Sequence, residues 1–102
     1  MDKKIVVYNI MEQIIEDKVI KLIKEIEMCT CEQCCSDVIA LALNVLPPKY
    51  AVSRIGKVIT RLELLDEQTQ TDIITAIMIA INKVSKSPHH NIKEVTNLIE
   101  YE

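Results

Sequence analysis

Residues 29–50 read CTCEQCCSDVIALALNVLPPKY, and this stretch decides how the rest of the chain is organised. Its first seven positions hold every cysteine of the 102-residue protein: Cys29, Cys31, Cys34 and Cys35. Ser36 and Asp37 follow, and both are good residues for the amino end of a helix. Val38 to Val45 is apolar nearly all round, which predicts a helix placed centrally rather than on the surface. Pro47 and Pro48 stop it, because proline disfavours helical geometry in the residue before it. The order is therefore a thiol-rich turn, a central helix and a hard stop.

Upstream, apolar residues recur at steps of three and four through Val7, Ile10, Met11, Ile14, Ile15, Val19, Leu22, Ile23 and Ile26. This predicts an amphipathic helix from Val7 to Met28. Downstream, residues 47–60 (PPKYAVSRIGKVIT) hold the one glycine, two of the three prolines and three basic residues. They predict a loop with extended character or a short irregular helix, the kind of segment that carries function on a helical scaffold. Thr60 with Glu63 fits a capping box, opening a long helix to about Ser85. The polar run DEQTQTD (66–72) within it must lie outside the core. Pro88 breaks that helix, and Asn91 with Glu94 caps a short last one carrying Ile92, Val95, Leu98 and Ile99. The expectation is all-α: a compact single domain over residues 1–102 with about four helices.

The composition bounds the function. The apolar 49 % is aliphatic, with no Phe, no Trp and three Tyr. At this length roughly 60–70 % of the unfolded surface is buried, so stability is modest and a metal staple or a dimer interface helps. A net charge of −3 argues against broad binding to nucleic acid polymers. No uncharged apolar stretch approaches the length of a membrane span, and the amino terminus does not read as a signal peptide. A cytoplasmic, reducing setting follows, in which clustered cysteines are metal ligands or redox groups rather than structural disulfides. A single glycine excludes a P-loop or Rossmann fingerprint, and no nucleophile–base constellation points to an enzyme.

Cys29, Cys31 and Cys34 form C-x-C-x2-C just before a helix, a spacing that lets one turn supply thiolates to zinc. The helix amino end favours thiolate charge. The fourth ligand is open. Cys35 is adjacent to Cys34, and neighbours rarely both reach one metal without strain; His89 or His90 is the alternative. A redox reading of the Cys31–Cys34 pair lacks the βαβ context it normally requires. Small buried thiols with no chemistry are the third reading.

These residues resemble the late competence development ComFB family of bacteria. The resemblance rests on Cys29, Cys31, Cys34, Asp37, Leu43, Asn44, Pro47 and Tyr50, with the preceding helix, Glu63–Asp66 and Ser87–Pro88 in support. It implies a small, all-helical, cytoplasmic, non-catalytic homodimer with cysteine-bound zinc, similar to receptors for cyclic dinucleotides, notably cyclic di-GMP. The family pattern has a further cysteine near the end of the long helix. The matching INKVSKSPHH has none, which turns attention to Cys35, His89 and His90. The loop suits such a ligand on its own chemistry. Arg54 can hold a phosphate or stack on a base, Lys49 and Lys57 supply charge, Tyr50 a ring and Ser53 a hydroxyl. The reading is a zinc-stabilised homodimer that binds cyclic di-GMP and relays it to a partner protein. The alternative is a structural interaction module of the competence system with no small ligand.

Overall fold

A computed structural model of the chain describes residues 5–86. In order, they form β1 (Tyr8–Asn9), α1 (Ile10–Ile23), α2 (Glu32–Val45), β2 (Tyr50–Ala51), α3 (Arg54–Glu63) and α4 (Glu67–Lys86). The helical class is as expected, but two of the four helices differ from those the sequence predicts. The segment 47–60 is not an irregular loop: it holds β2 and the start of a regular helix. The single helix expected from Thr60 to Ser85 is two. The expected last helix and Pro88, His89 and His90 lie outside the described residues.

α1 is shorter than the periodicity suggests. Asn9 is its cap, and its Oδ1 accepts from the backbone N–H of Met11 at 3.2 Å and of Lys49 at 2.9 Å. Pro47 and Pro48 have no N–H, so Lys49 offers the first donor after the Leu46 cap of α2. The Lys49 carbonyl in turn accepts from the Ile10 N–H at 2.6 Å. Tyr8 and Asn9 pair antiparallel with Ala51 and Tyr50. One side chain thus starts α1 and fixes the chain forty residues later.

α2 begins earlier than expected. Cys31, not Ser36 or Asp37, is the cap, with its sulphur accepting from the Cys34 N–H at 3.4 Å. Cys34, Cys35, Ser36 and Asp37 therefore sit inside the helix. The helix is less enclosed than its apolar sequence suggests: Cys34, Val38 and Ala42 are buried, while Val45 is exposed.

The break between α3 and α4 falls at residues 64–66. Thr60 lies within α3. Asp66 opens α4, accepting from the Thr69 hydroxyl at 2.5 Å and the Thr69 N–H at 3.1 Å. The hydrogen bond from that hydroxyl, then that from the N–H, holds the Asp66 carboxyl below its ordinary value. The cap is thus intact at neutral pH and is lost as pH falls through that lowered value. Gln70 donates from its amide to the Leu64 carbonyl at 2.7 Å, closing the end of α3.

The core is aliphatic. Ile10, Met11, Ile15 and Val19 of α1, Val38 and Ala42 of α2, and Ile73, Ile77 and Ile81 of α4 form its centre. No polar or charged side chain is buried among the described residues. α2 lies against both α1 and α4. Ala42, Ala76 and Ala80 are small enough to let α2 and α4 approach closely.

Asn9→Ala removes one acceptor from two backbone donors. It should lower unfolding free energy by about 1–2 kcal/mol in urea titration. Asn9→Asp, which keeps the acceptor, should recover most of this.

Candidate metal centre

The turn from α1 into α2 brings three sulphurs together. Those of Cys29, Cys31 and Cys34 all lie within 4.8 Å of one another. Four tetrahedral sulphurs around zinc, each bonded at about 2.3 Å, stand about 3.8 Å apart. Closing the remaining gap needs side-chain adjustment rather than refolding. The donor set fits a soft, thiophilic metal. Three close cysteines can hold such an ion, and the set leaves one tetrahedral position to another ligand.

Each sulphur reaches the cluster for a different reason. Cys34 is held by the fold: it is wholly buried on the core side of α2. Cys31 is held by its capping bond to Cys34. Cys29 is exposed, on the turn before the helix. Cys35 points elsewhere, its Sγ donating to the Thr30 carbonyl at 3.6 Å. It is the one candidate ligand in the turn that is not part of the trio.

The electrostatics show what the cluster needs. Burial, then hydrogen bonds with Cys31 and Cys29 and their charges, push the Cys34 thiol up to about 12. Burial and the same two neighbours raise Cys35. Several thiolates cannot share this volume without a cation. Metal binding here must therefore release protons, and affinity must fall as the solution is acidified.

The end of α4 lies beside this turn. Ser85 donates from its hydroxyl to the Met28 sulphur at 3.8 Å, one residue before Cys29. Sequence reading missed this contact, since neither residue belongs to a motif.

The other candidate residues gather at a second place. Lys49 and Tyr50 enter β2, Ser53 caps α3, and Arg54 and Lys57 lie on its first turns. The Ser53 hydroxyl is engaged by the Gly56 N–H at 3.0 Å. The Lys57 Nζ sits 3.6 Å from the centre of the Tyr8 ring, a cation–π contact that sequence reading missed because Tyr8 is forty-nine residues away. Tyr50 and Arg54 are exposed. A cleft near this corner has a volume of about 160 Å³ and is lined by Met11, Pro47, Glu63, Leu64 and Asp72 among others. It is smaller than the roughly 300–1,000 Å³ of ligand pockets. Lys49 lines it too, beside the two carboxylates of Glu63 and Asp72, so the cleft is not a dedicated anion site.

The model of the family described as Late competence development protein ComFB matches residues 8–88. The chain belongs to the ComFB family. A solved structure described as the structural characterization of the late competence protein ComFB from Bacillus subtilis superposes with a TM-score of 0.73 at 30 % identity. That match covers 81 % of this chain and 92 % of the other. The competence protein ComFB of Bacillus subtilis (strain 168) is 37 % identical over 60 residues, 59 % of this chain and 61 % of that protein. The alignment thus spans about three fifths of that relative's length. Among the described residues, no helix is long and apolar enough to cross a membrane.

In metal-free protein at mildly alkaline pH, an alkylating reagent should modify Cys29 first and Cys34 last. Peptide mapping over time reads the order. Equal rates at all four cysteines would contradict this arrangement.

Proposed function

We propose that this ComFB-family chain is a non-enzymatic, cytoplasmic homodimer stabilised by zinc, which binds a cyclic dinucleotide such as cyclic di-GMP and passes the signal to a protein partner. The observation that carries the zinc part is the thiol trio, whose three sulphurs lie within 4.8 Å of one another. Cys29, Cys31 and Cys34 are three ligands, and His89 or His90 supplies the fourth. The contact of Ser85 with Met28 supports this choice. His89 and His90 follow Lys86 by three and four residues, a reach of about 10–14 Å. Cys35 is set aside because its sulphur faces the Thr30 carbonyl. Bound zinc would contribute folding free energy by joining the end of α1 to the start of α2.

The nucleotide part is supported by the corner where β2 meets α3. Lys49, Tyr50, Ser53 and Arg54 lie on one exposed edge, and Lys57 is held near it by Tyr8. A guanidinium with five donors suits a phosphate diester, and the Tyr50 ring suits a purine face. The alternative, an interaction module with no small ligand, is favoured by one observation: α3 buries none of its side chains fully.

Elemental analysis of protein purified without chelator should find about one zinc per chain. Cys34→Ser should reduce this below half, Cys35→Ser should leave it unchanged, and His89→Ala with His90→Ala should speed zinc loss to a chelator. Zinc loss in Cys35→Ser alone would make Cys35 the fourth ligand. Calorimetric titration should show binding of cyclic di-GMP, weakened roughly 10- to 100-fold by Arg54→Ala. No heat with folded, dimeric protein would remove the nucleotide from the function; normal binding by Arg54→Ala would remove only this site.

A further inference from the structure

α2 and α4 lie side by side, yet they leave an apolar groove open between them. Leu41 and Val45 of α2 face Ala76, Ile79 and Ala80 of α4 across a hollow of about 230 Å³ that reaches Lys83. A second hollow of about 300 Å³ shares Val45, Ala76 and Ile79 and carries the groove on to Thr75 and Asp72. Val45 is 72 % exposed and Ile79 54 %, although the two helices that carry them pack on each other. From Asp72 to Lys83 the groove follows α4 for about 16 Å of helix. A trough of that length with apolar walls suits an amphipathic helix better than a compact small molecule.

The chain itself supplies such a segment. Residues 87–102 follow Lys86, where α4 ends. Lys86 is one turn beyond Lys83, so the chain leaves α4 at the mouth of the groove. Ile92, Val95, Leu98 and Ile99 recur at the spacing of one helical face, while Lys93, Asn97 and Glu100 fall on the other. As a helix, residues 91–101 would be about 15 Å long, close to the length of the groove. A connection of about four residues, 87–90, is an ordinary link between antiparallel helices, and Pro88 disfavours helical geometry at Ser87. That link brings Leu98 level with Ile79 and Glu94 level with Lys83, so apolar meets apolar and opposite charges meet at the mouth. The tether also decides between occupants. A segment held by so short a link is present at a millimolar effective concentration, above that of a free partner in dilute solution.

We infer that residues 91–101 fold back as a helix into the α2–α4 groove, with Ile92, Val95, Leu98 and Ile99 covering Leu41, Val45 and Ile79, and with Glu94 beside Lys83. The mouth of the groove is the end of α4 that lies beside the cysteine turn, through the contact of Ser85 with Met28. His89 and His90 then belong to the connection at that same end, which keeps them within reach of the thiol trio. Groove and segment match without any metal, so the docking stands or falls apart from the zinc reading.

Hydrogen–deuterium exchange read by mass spectrometry on the full chain, at low and at high micromolar concentration, tests the fold-back. The backbone amides of residues 92–99 should exchange at least about 10-fold more slowly than in a free peptide of the same sequence, equally at both concentrations. Val45→Asp combined with Ile79→Asp should bring them to within about 2-fold of the free peptide. The amides around Ile15 and Ile77 should stay protected, because both substituted positions are exposed. Lys83→Glu should speed exchange of the segment, and Glu94→Lys in the same chain should slow it again. A native segment that exchanges like the free peptide overturns the fold-back. Protection that appears only at high concentration assigns the groove to a second copy and overturns it equally. Protection that survives Val45→Asp with Ile79→Asp places the segment elsewhere and overturns the groove. Failure of Glu94→Lys to offset Lys83→Glu overturns the register.

Discussion

Cys34 belongs to two structures at once, and the rest of the fold is arranged around that. Its side chain lies on the buried stripe of α2 with Val38 and Ala42, under α1 and α4. Its sulphur lies within 4.8 Å of those of Cys29 and Cys31. The position of α2 in the core and the shape of the thiol cluster therefore cannot change independently. A core with no Phe and no Trp has few large side chains to fix a helix in one place. A metal held by the trio, as proposed, would tie the first turn of α2 to the end of α1 and supply what the packing lacks. It would do so at the helix that touches both of its neighbours.

That arrangement extends to the other end of α2. The helix stops at Val45, two prolines remove the next donors, and Lys49 is taken up by Asn9 at the start of α1. α1 and α2 are thus joined twice, by the cysteine turn at one end and by the Asn9 carboxamide at the other. The β2–α3 corner emerges directly from the second joint. Its direction is fixed by backbone hydrogen bonds rather than by burial, which suits a segment that presents its side chains outward.

The sequence carried the parts of this that depend on periodicity or spacing. Steps of three and four marked the body of α1, the prolines marked the end of α2, and C-x-C-x2-C marked the trio. What it did not carry depends on choices between competing local signals. Ser36 and Asp37 are better caps by residue type than Cys31, yet a start at residue 31 lets Cys34 enter the core stripe. The Thr60–Glu63 box competes with Asp66 and Thr69, and the second pair wins. Ending α3 before Asp66 puts Leu64 in the core and the polar run 66–72 on the exposed first turns of α4. The two-residue strands are too short to leave a pattern, and the contacts of Lys57 with Tyr8 and Ser85 with Met28 join residues far apart in sequence.

α3 shows the limit of amphipathic reading most clearly. Periodicity says that a helix has an apolar face; it does not say toward what. Most apolar residues of α1 and α4 turn inward because those helices meet a partner helix within the chain. Among the described residues, α3 meets chiefly a two-residue strand and α1, with Gly56, Lys57 and Thr60 half-buried on that side. Rotating α3 by half a turn would break the Arg61–Gln13 and Lys57–Tyr8 contacts. The orientation is thus set by what the described residues offer on the inside, and among them no apolar surface covers the stripe.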